Sequence, residues 1–145
     1  MELSKGRKIA AFIGLTIAAF TTYFVIAGSG VFVYGAGASY TGGMGLVGLA
    51  LTLESATRCV MLPIASQLGN KFGRKRTFNI GMIGYIVCCV VIALGVNMEM
   101  FVASRMFMGI FWGMFMVTGM AMITDIFSSE DSPKRIGWYQ SAILI

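Results

Sequence analysis

Between Lys8 and Glu54 the chain carries no charged side chain. A bilayer-crossing helix needs about 20 mostly apolar residues, so the run has room for two crossings. In hydrocarbon each backbone N–H and C=O must be satisfied within its own segment, so the run is read as helix. The rest of the chain keeps the same balance. Hydrophobic residues make up 57% and charged ones 12%, with a mean hydropathy of +0.82. A soluble domain carries about 25% charged residues; this chain could not coat itself with a polar surface and belongs in a lipid bilayer.

The glycine-rich stretch 35–43 breaks the run and separates spans at about 9–33 and 44–68. Further spans are expected at about 78–96 and 100–127, divided by a tight turn at Asn97-Met98-Glu99. The polar segment from Ser128 to Arg135 precedes a fifth apolar run at 136–145, about half a span long. The expected fold is an all-α integral membrane protein with four complete transmembrane helices plus the start of a fifth. The incomplete fifth run reads as an N-terminal fragment, completed by the remainder of the same chain. Lys5, Arg7 and Lys8, with Ala36-Gly37-Ala38, imitate the flanks of a signal peptide. The uncharged stretch from Ile9 to Val33 is too long for a signal-peptide core of roughly 7–15 residues and reads as a retained span.

The cations fix an orientation. Lys5, Arg7 and Lys8 precede the first span; Lys71, Arg74, Lys75 and Arg76 follow the second; Lys134 and Arg135 follow the fourth. The connections after the first and third spans have none. Lysine and arginine accumulate on the cytoplasmic side, so the expected protein is multi-pass in the cell membrane with a cytoplasmic N-terminus. The net charge of +5 reflects these clusters and is not a nucleic-acid-binding face. The densest cluster lies in the segment Leu68-Gly69-Asn70-Lys71-Phe72-Gly73-Arg74-Lys75-Arg76, read as a short basic hairpin whose two glycines let the backbone reverse.

Enzymatic chemistry finds little to work with. There is no histidine, and Cys59, Cys88 and Cys89 lie in apolar helices without metal-ligand spacing, as small buried hydrophobes. No metal, cofactor or nucleophile–base pair is expected.

Four charges fall within the spans: Glu54, Arg58, Arg105 and, near the cytoplasmic end of the fourth, Asp125. Each would cost about 2.5–3.5 kcal/mol at a helix centre facing lipid, so they must face protein or water. Glu54 and Arg58 are one turn apart and can pair. Two readings stay open: an ion pair that holds helices together, or a proton or substrate site at a cavity wall. Gly109 and Gly113 form a small-xxx-small stripe for close helix packing, and the pairs Gly45/Gly48 and Gly81/Gly84 are read in the same way. Pro63 is expected to kink the second span.

These residues resemble the N-terminal third of a major facilitator superfamily transporter. The family signature between helices two and three runs Gly-x-Leu-Ala-Asp-Arg-x-Gly-Arg-Lys. Leu68, Gly69, Lys71, Gly73, Arg74 and Lys75 match it or stand close to it, while Ser66 replaces the leading glycine and Asn70 the acid. In the family that acid joins a charge network latching the two halves; Asn70 brings no charge to it. Arg105, Gly109 and Gly113 resemble the fourth-helix pattern whose arginine is implicated in proton coupling, with Met108 where glutamine is common. Asp125-Ile126-Phe127, then Arg135 and Gly137, are similar to the pattern before helix five.

The resemblance implies the N-terminal six-helix half of a transporter nearest the multidrug proton-antiporter branch. It makes Leu68, Gly69, Asn70, Lys71, Gly73, Arg74 and Lys75, with Asp125 near Arg74, a cytoplasmic gate, and Arg105 a coupling charge; Glu54 and Arg58, from their own place within the span, are further candidates for coupling or binding. The implied activity is secondary active transport of a small molecule by alternating access, as proton-coupled efflux of a drug or metabolite. Its partners are the substrate, protons and the lipid bilayer. The alternatives are proton-coupled sugar or metabolite uptake, and a four-helix membrane scaffold.

Overall fold

The computed structural model describes residues 5–37, 43–94 and 97–144, with side chains described over 6–22, 45–94 and 97–141. The described residues are helical and contain no strand. Five helices follow one another: α1 (Lys5–Gly37), α2 (Gly43–Phe72), α3 (Arg74–Leu94), α4 (Met98–Ile126) and α5 (Ser132–Leu144). Among the described residues three stretches are long and apolar enough to cross a membrane: Gly45–Phe72, Arg74–Leu94 and Met98–Ile126. The first expected span falls in α1, where side chains beyond residue 22 lie outside the described ones, and α5 is 13 residues long.

Several helix ends differ from the sequence expectation because polar residues were read as loop where they form first turns. Asn97 caps α4: its Oδ1 accepts a hydrogen bond from the Met100 amide at 2.9 Å, so Met98 and Glu99 are already helical. Ser132 to Arg135 form the first turn of α5, the Arg135 amide donating to the Asp131 carbonyl at 3.2 Å. The polar break there is therefore only residues 127–131. α2 runs unbroken through Pro63. The break between α1 and α2 falls on residues 38–42, outside the described residues.

The chain divides into two compact units, residues 1–29 with 119–145, and residues 30–118. In the first, the Phe12 and Phe127 rings meet edge to face with centroids 5.8 Å apart. The Arg135 guanidinium lies 4.1 Å from the Phe127 centroid and 5.2 Å from that of Phe12. Arg135, expected as a loop cation, is thus packed on two aromatic faces from α1 and the end of α4.

In the second unit, α3 buries Thr77, Gly81, Tyr85 and Cys88 along one stripe and turns Ile83, Val87, Val90 and Leu94 outward. Small, polar and aromatic groups, Phe78 among them, face protein while branched aliphatics face out, the arrangement of a helix whose solvent is lipid. Helix approach depends on missing side chains. A Cβ on Gly81 would stand 2.9 Å from the Phe115 amide nitrogen and 3.0 Å from the Phe111 carbonyl, so α3 and α4 touch backbone to backbone there. Phe115 is buried, with Phe78, Tyr85 and Trp112 meeting it edge to face at 5.9–6.2 Å. Among the described residues nothing stands within 4 Å of such a Cβ on Gly45 or Gly48, so the packing role expected of them finds no partner there. Cys59 is exposed, also against expectation, because it lies on the outward face of α2; Cys88 is buried as expected.

Candidate functional site

The basic corner between α2 and α3 is tighter than a hairpin loop. α2 continues to Phe72 and α3 starts at Arg74, leaving Gly73 alone between them with φ at +93°. Side chains are strained in that region, which is why glycine occupies it. The Gly73 carbonyl accepts hydrogen bonds from the Thr77 amide at 3.1 Å and the Thr77 hydroxyl at 3.2 Å, opening α3. Gly69 does not turn the chain. It is helical and buried, and a Cβ on it would meet Thr118 Cγ2 at 3.1 Å, so its smallness serves the approach of α4.

The cations of the corner are unequally placed for helix stability. Lys71 is in the last turn of α2, where the helix dipole favours a positive charge. Arg74, Lys75 and Arg76 fill the first turn of α3, where the dipole opposes each of them by about 0.3–1 kcal/mol at low ionic strength. Helix stability does not account for that triplet. Asn70, Lys71, Lys75 and Arg76 are exposed, Leu68 and Arg74 half-buried. Asp125 is exposed in the last turn of α4.

The charges within the spans converge. Arg58 Nη2 donates to Glu54 Oε1 at 2.7 Å, one turn along α2. Arg105 Nη1, from α4, donates to Glu54 Oε2 at 3.0 Å. Both carboxylate oxygens are therefore engaged, by two guanidiniums from two helices. Glu54 and Arg105 are 4% and 2% exposed, whereas the Arg58 side chain keeps 29%. The Arg58 guanidinium lies 4.1 Å from the Trp112 ring centroid, and that of Arg105 lies 5.4 Å from Phe101. In so dry a setting, removing one partner of a charge pair typically costs about 3–5 kcal/mol, because it strands the other.

Glycines bring α4 close enough to α2 for this. A Cβ on Gly109 would collide with Thr57 Oγ1 and the Glu54 carbonyl oxygen; one on Gly113 would stand 3.1 Å from Met61 Cβ. Thr57 fastens the crossing, its hydroxyl lying 3.0 Å from the Met106 carbonyl. Spacing alone brings Glu54 and Arg58 together; the tertiary fold adds Arg105, 51 residues from Glu54. Thr57, Tyr85 and Trp112 escaped the sequence reading. Trp112 follows Arg105 by two helical turns, a periodicity that could have placed it on the same face.

A second feature lies in the first unit: a shallow cavity of about 210 Å³ lined by Lys8, Ile9, Phe127, Asp131 and Arg135 among others. Its cations are offset by Asp131, and Arg135 is already committed to two aromatic rings.

Comparison with known proteins follows the same lines. The chain is 32% identical over 97 residues to Multidrug resistance protein 1 of Bacillus subtilis (strain 168), covering 67% of the chain and 25% of that protein. It is 31% identical over 98 residues to Quinolone resistance protein NorA of Staphylococcus aureus (strain Mu50 / ATCC 700699), covering 68% and 25%. Its identity to the Probable actinorhodin transporter of Streptomyces coelicolor is 27% over 84 residues, covering 58% and 14%. The matched stretches are a quarter or less of these relatives' lengths. The family model of the Major Facilitator Superfamily matches residues 12–145, taking in all of α2, α3, α4 and α5. By that match the chain belongs to the Major Facilitator Superfamily.

Proposed function

We propose that the chain forms the opening helices of a secondary transporter that exports a small organic molecule by alternating access, coupled to protons. Membership of a family of transporters, not enzymes, supports the class of activity. The names of the relatives, which speak of multidrug and quinolone resistance, support export of drug-like molecules. Four complete spans and a fifth that begins at Ser132, with a cytoplasmic N-terminus, are the topology on which this reading stands. Further helices of the same chain would complete the transport pathway, as the greater length of the relatives suggests.

One observation carries the reading: Glu54 is held between Arg58 and Arg105 inside segments long enough to span the membrane. Transporters of this architecture rock two halves about a midplane site. Ion pairs between helices are suited to such a cycle, since they hold one state and can be exchanged in another. The corner at Gly73 acts as part of the cytoplasmic gate. The test is Arg105→Ala in the complete transporter, reconstituted in vesicles with an imposed pH gradient. Accumulation of a quinolone should be lost while membrane insertion is kept. Undiminished gradient-driven flux would refute the role of Arg105.

A further inference from the structure

Resting on the transport reading, a narrower assignment concerns Arg58. The chain places two guanidiniums and one carboxylate in the triad, and Glu54 is the sole acid between Ile9 and Leu94. Each Glu54 oxygen accepts from one arginine, so Arg58 holds the carboxylate by a single hydrogen bond and not by its two-pronged fork. Arg58 Nε is buried and has no hydrogen-bond partner among the described residues. A buried donor without an acceptor among the described residues therefore belongs to a group whose charge is positive on balance.

The arginines differ in what they can still do. Arg105 is closed in on all sides, while the Arg58 side chain keeps 29% exposure. The Trp112 indole backs the Arg58 guanidinium at 4.1 Å and holds a planar fork in place. A guanidinium so fixed matches a carboxylate, which it can bind through two parallel hydrogen bonds. A ligand that carries only positive charge would instead meet repulsion from the triad.

We propose that Arg58, stacked on Trp112, is the specificity-determining residue that receives a carboxylate of the transported molecule, and that Arg105 is a positioning residue acting through Glu54. The favoured substrate class is then aromatic acids or zwitterions bearing a carboxylate. The source of the anion is the substrate and not another carboxylate of the protein.

Titration calorimetry on the complete transporter in lipid nanodiscs tests this, with a fluoroquinolone carboxylic acid and its methyl ester as paired probes. The acid should bind the unmodified protein at least tenfold more tightly than the ester. Arg58→Gln should remove that preference, and Arg58→Lys should restore part of it, since lysine keeps the charge without the fork. Equal affinity for acid and ester in the unmodified protein would overturn the assignment without recourse to any variant, as would a preference undiminished in Arg58→Gln. Both results would leave the transport reading standing. Saturable binding of neither probe, together with no gradient-driven flux, would defeat the transport reading and this assignment together.

Discussion

At the scale of single residues, Glu54 organises the interior charges, and the two parts of its environment have different origins. Its contact with Arg58 is written in local spacing, because residues four apart share a helix face. Its contact with Arg105 is not, because the chain between them, a separation of 51 residues, includes two reversals whose geometry no local pattern specifies. Glu54→Ala would leave two guanidiniums without their anion. The expected cost is about 3–5 kcal/mol, read as a marked fall in the thermal unfolding temperature of the detergent-solubilised transporter. Glu54→Gln keeps a hydrogen-bond acceptor but not the charge, and should lie between the two. A melting temperature unchanged in Glu54→Ala would show that the triad contributes nothing to stability.

Helix contacts depend on glycines that resemble one another in sequence and differ in space. Gly109 and Gly113 lie against α2, and Gly81 against α4, whereas Gly45 and Gly48 meet no neighbour among the described residues. Gly109→Ala should therefore reduce the yield of monodisperse protein in fluorescence-detected size exclusion, while Gly45→Ala should leave it intact. Similar elution of the two variants would contradict the α2–α4 contact. Gly73 obeys another rule. A Cβ there meets nothing within 4 Å, so obstruction is not the issue; its φ of +93° is. Gly73→Ala should cost about 1–2 kcal/mol through backbone strain, and the β-branched Gly73→Val should be worse. Gly73→Asn should be tolerated better than either, as measured by thermal unfolding. Sequence reading treated Gly69 and Gly73 alike because both punctuate one basic segment, but only Gly73 leaves the helix.

For the molecule as a whole, the distribution of lysine and arginine predicts that the corner between α2 and α3 faces the cytoplasm. Phe72 is 57% exposed beside that corner, so Phe72→Cys offers an accessible handle. In intact cells the introduced thiol should resist a membrane-impermeant maleimide and should react once the inner face is opened. Labelling from outside would reverse the orientation and remove the cytoplasmic gate from the proposal. The amino-acid sequence alone determined that the chain is helical, apolar and meant for a bilayer. Those properties are sums over composition and period, and they survive errors of a few residues at each helix end. It also supplied the family motifs and the Glu54–Arg58 pair, since each is local. Tertiary structure alone decided that Arg105 completes the triad, that Trp112 backs Arg58, and which glycines touch a neighbour. The physical reason is that these helices are apolar over most of their surface, so periodicity can mark a buried face but does not say which helix covers it. Contact is then set by steric fit between surfaces far apart along the chain.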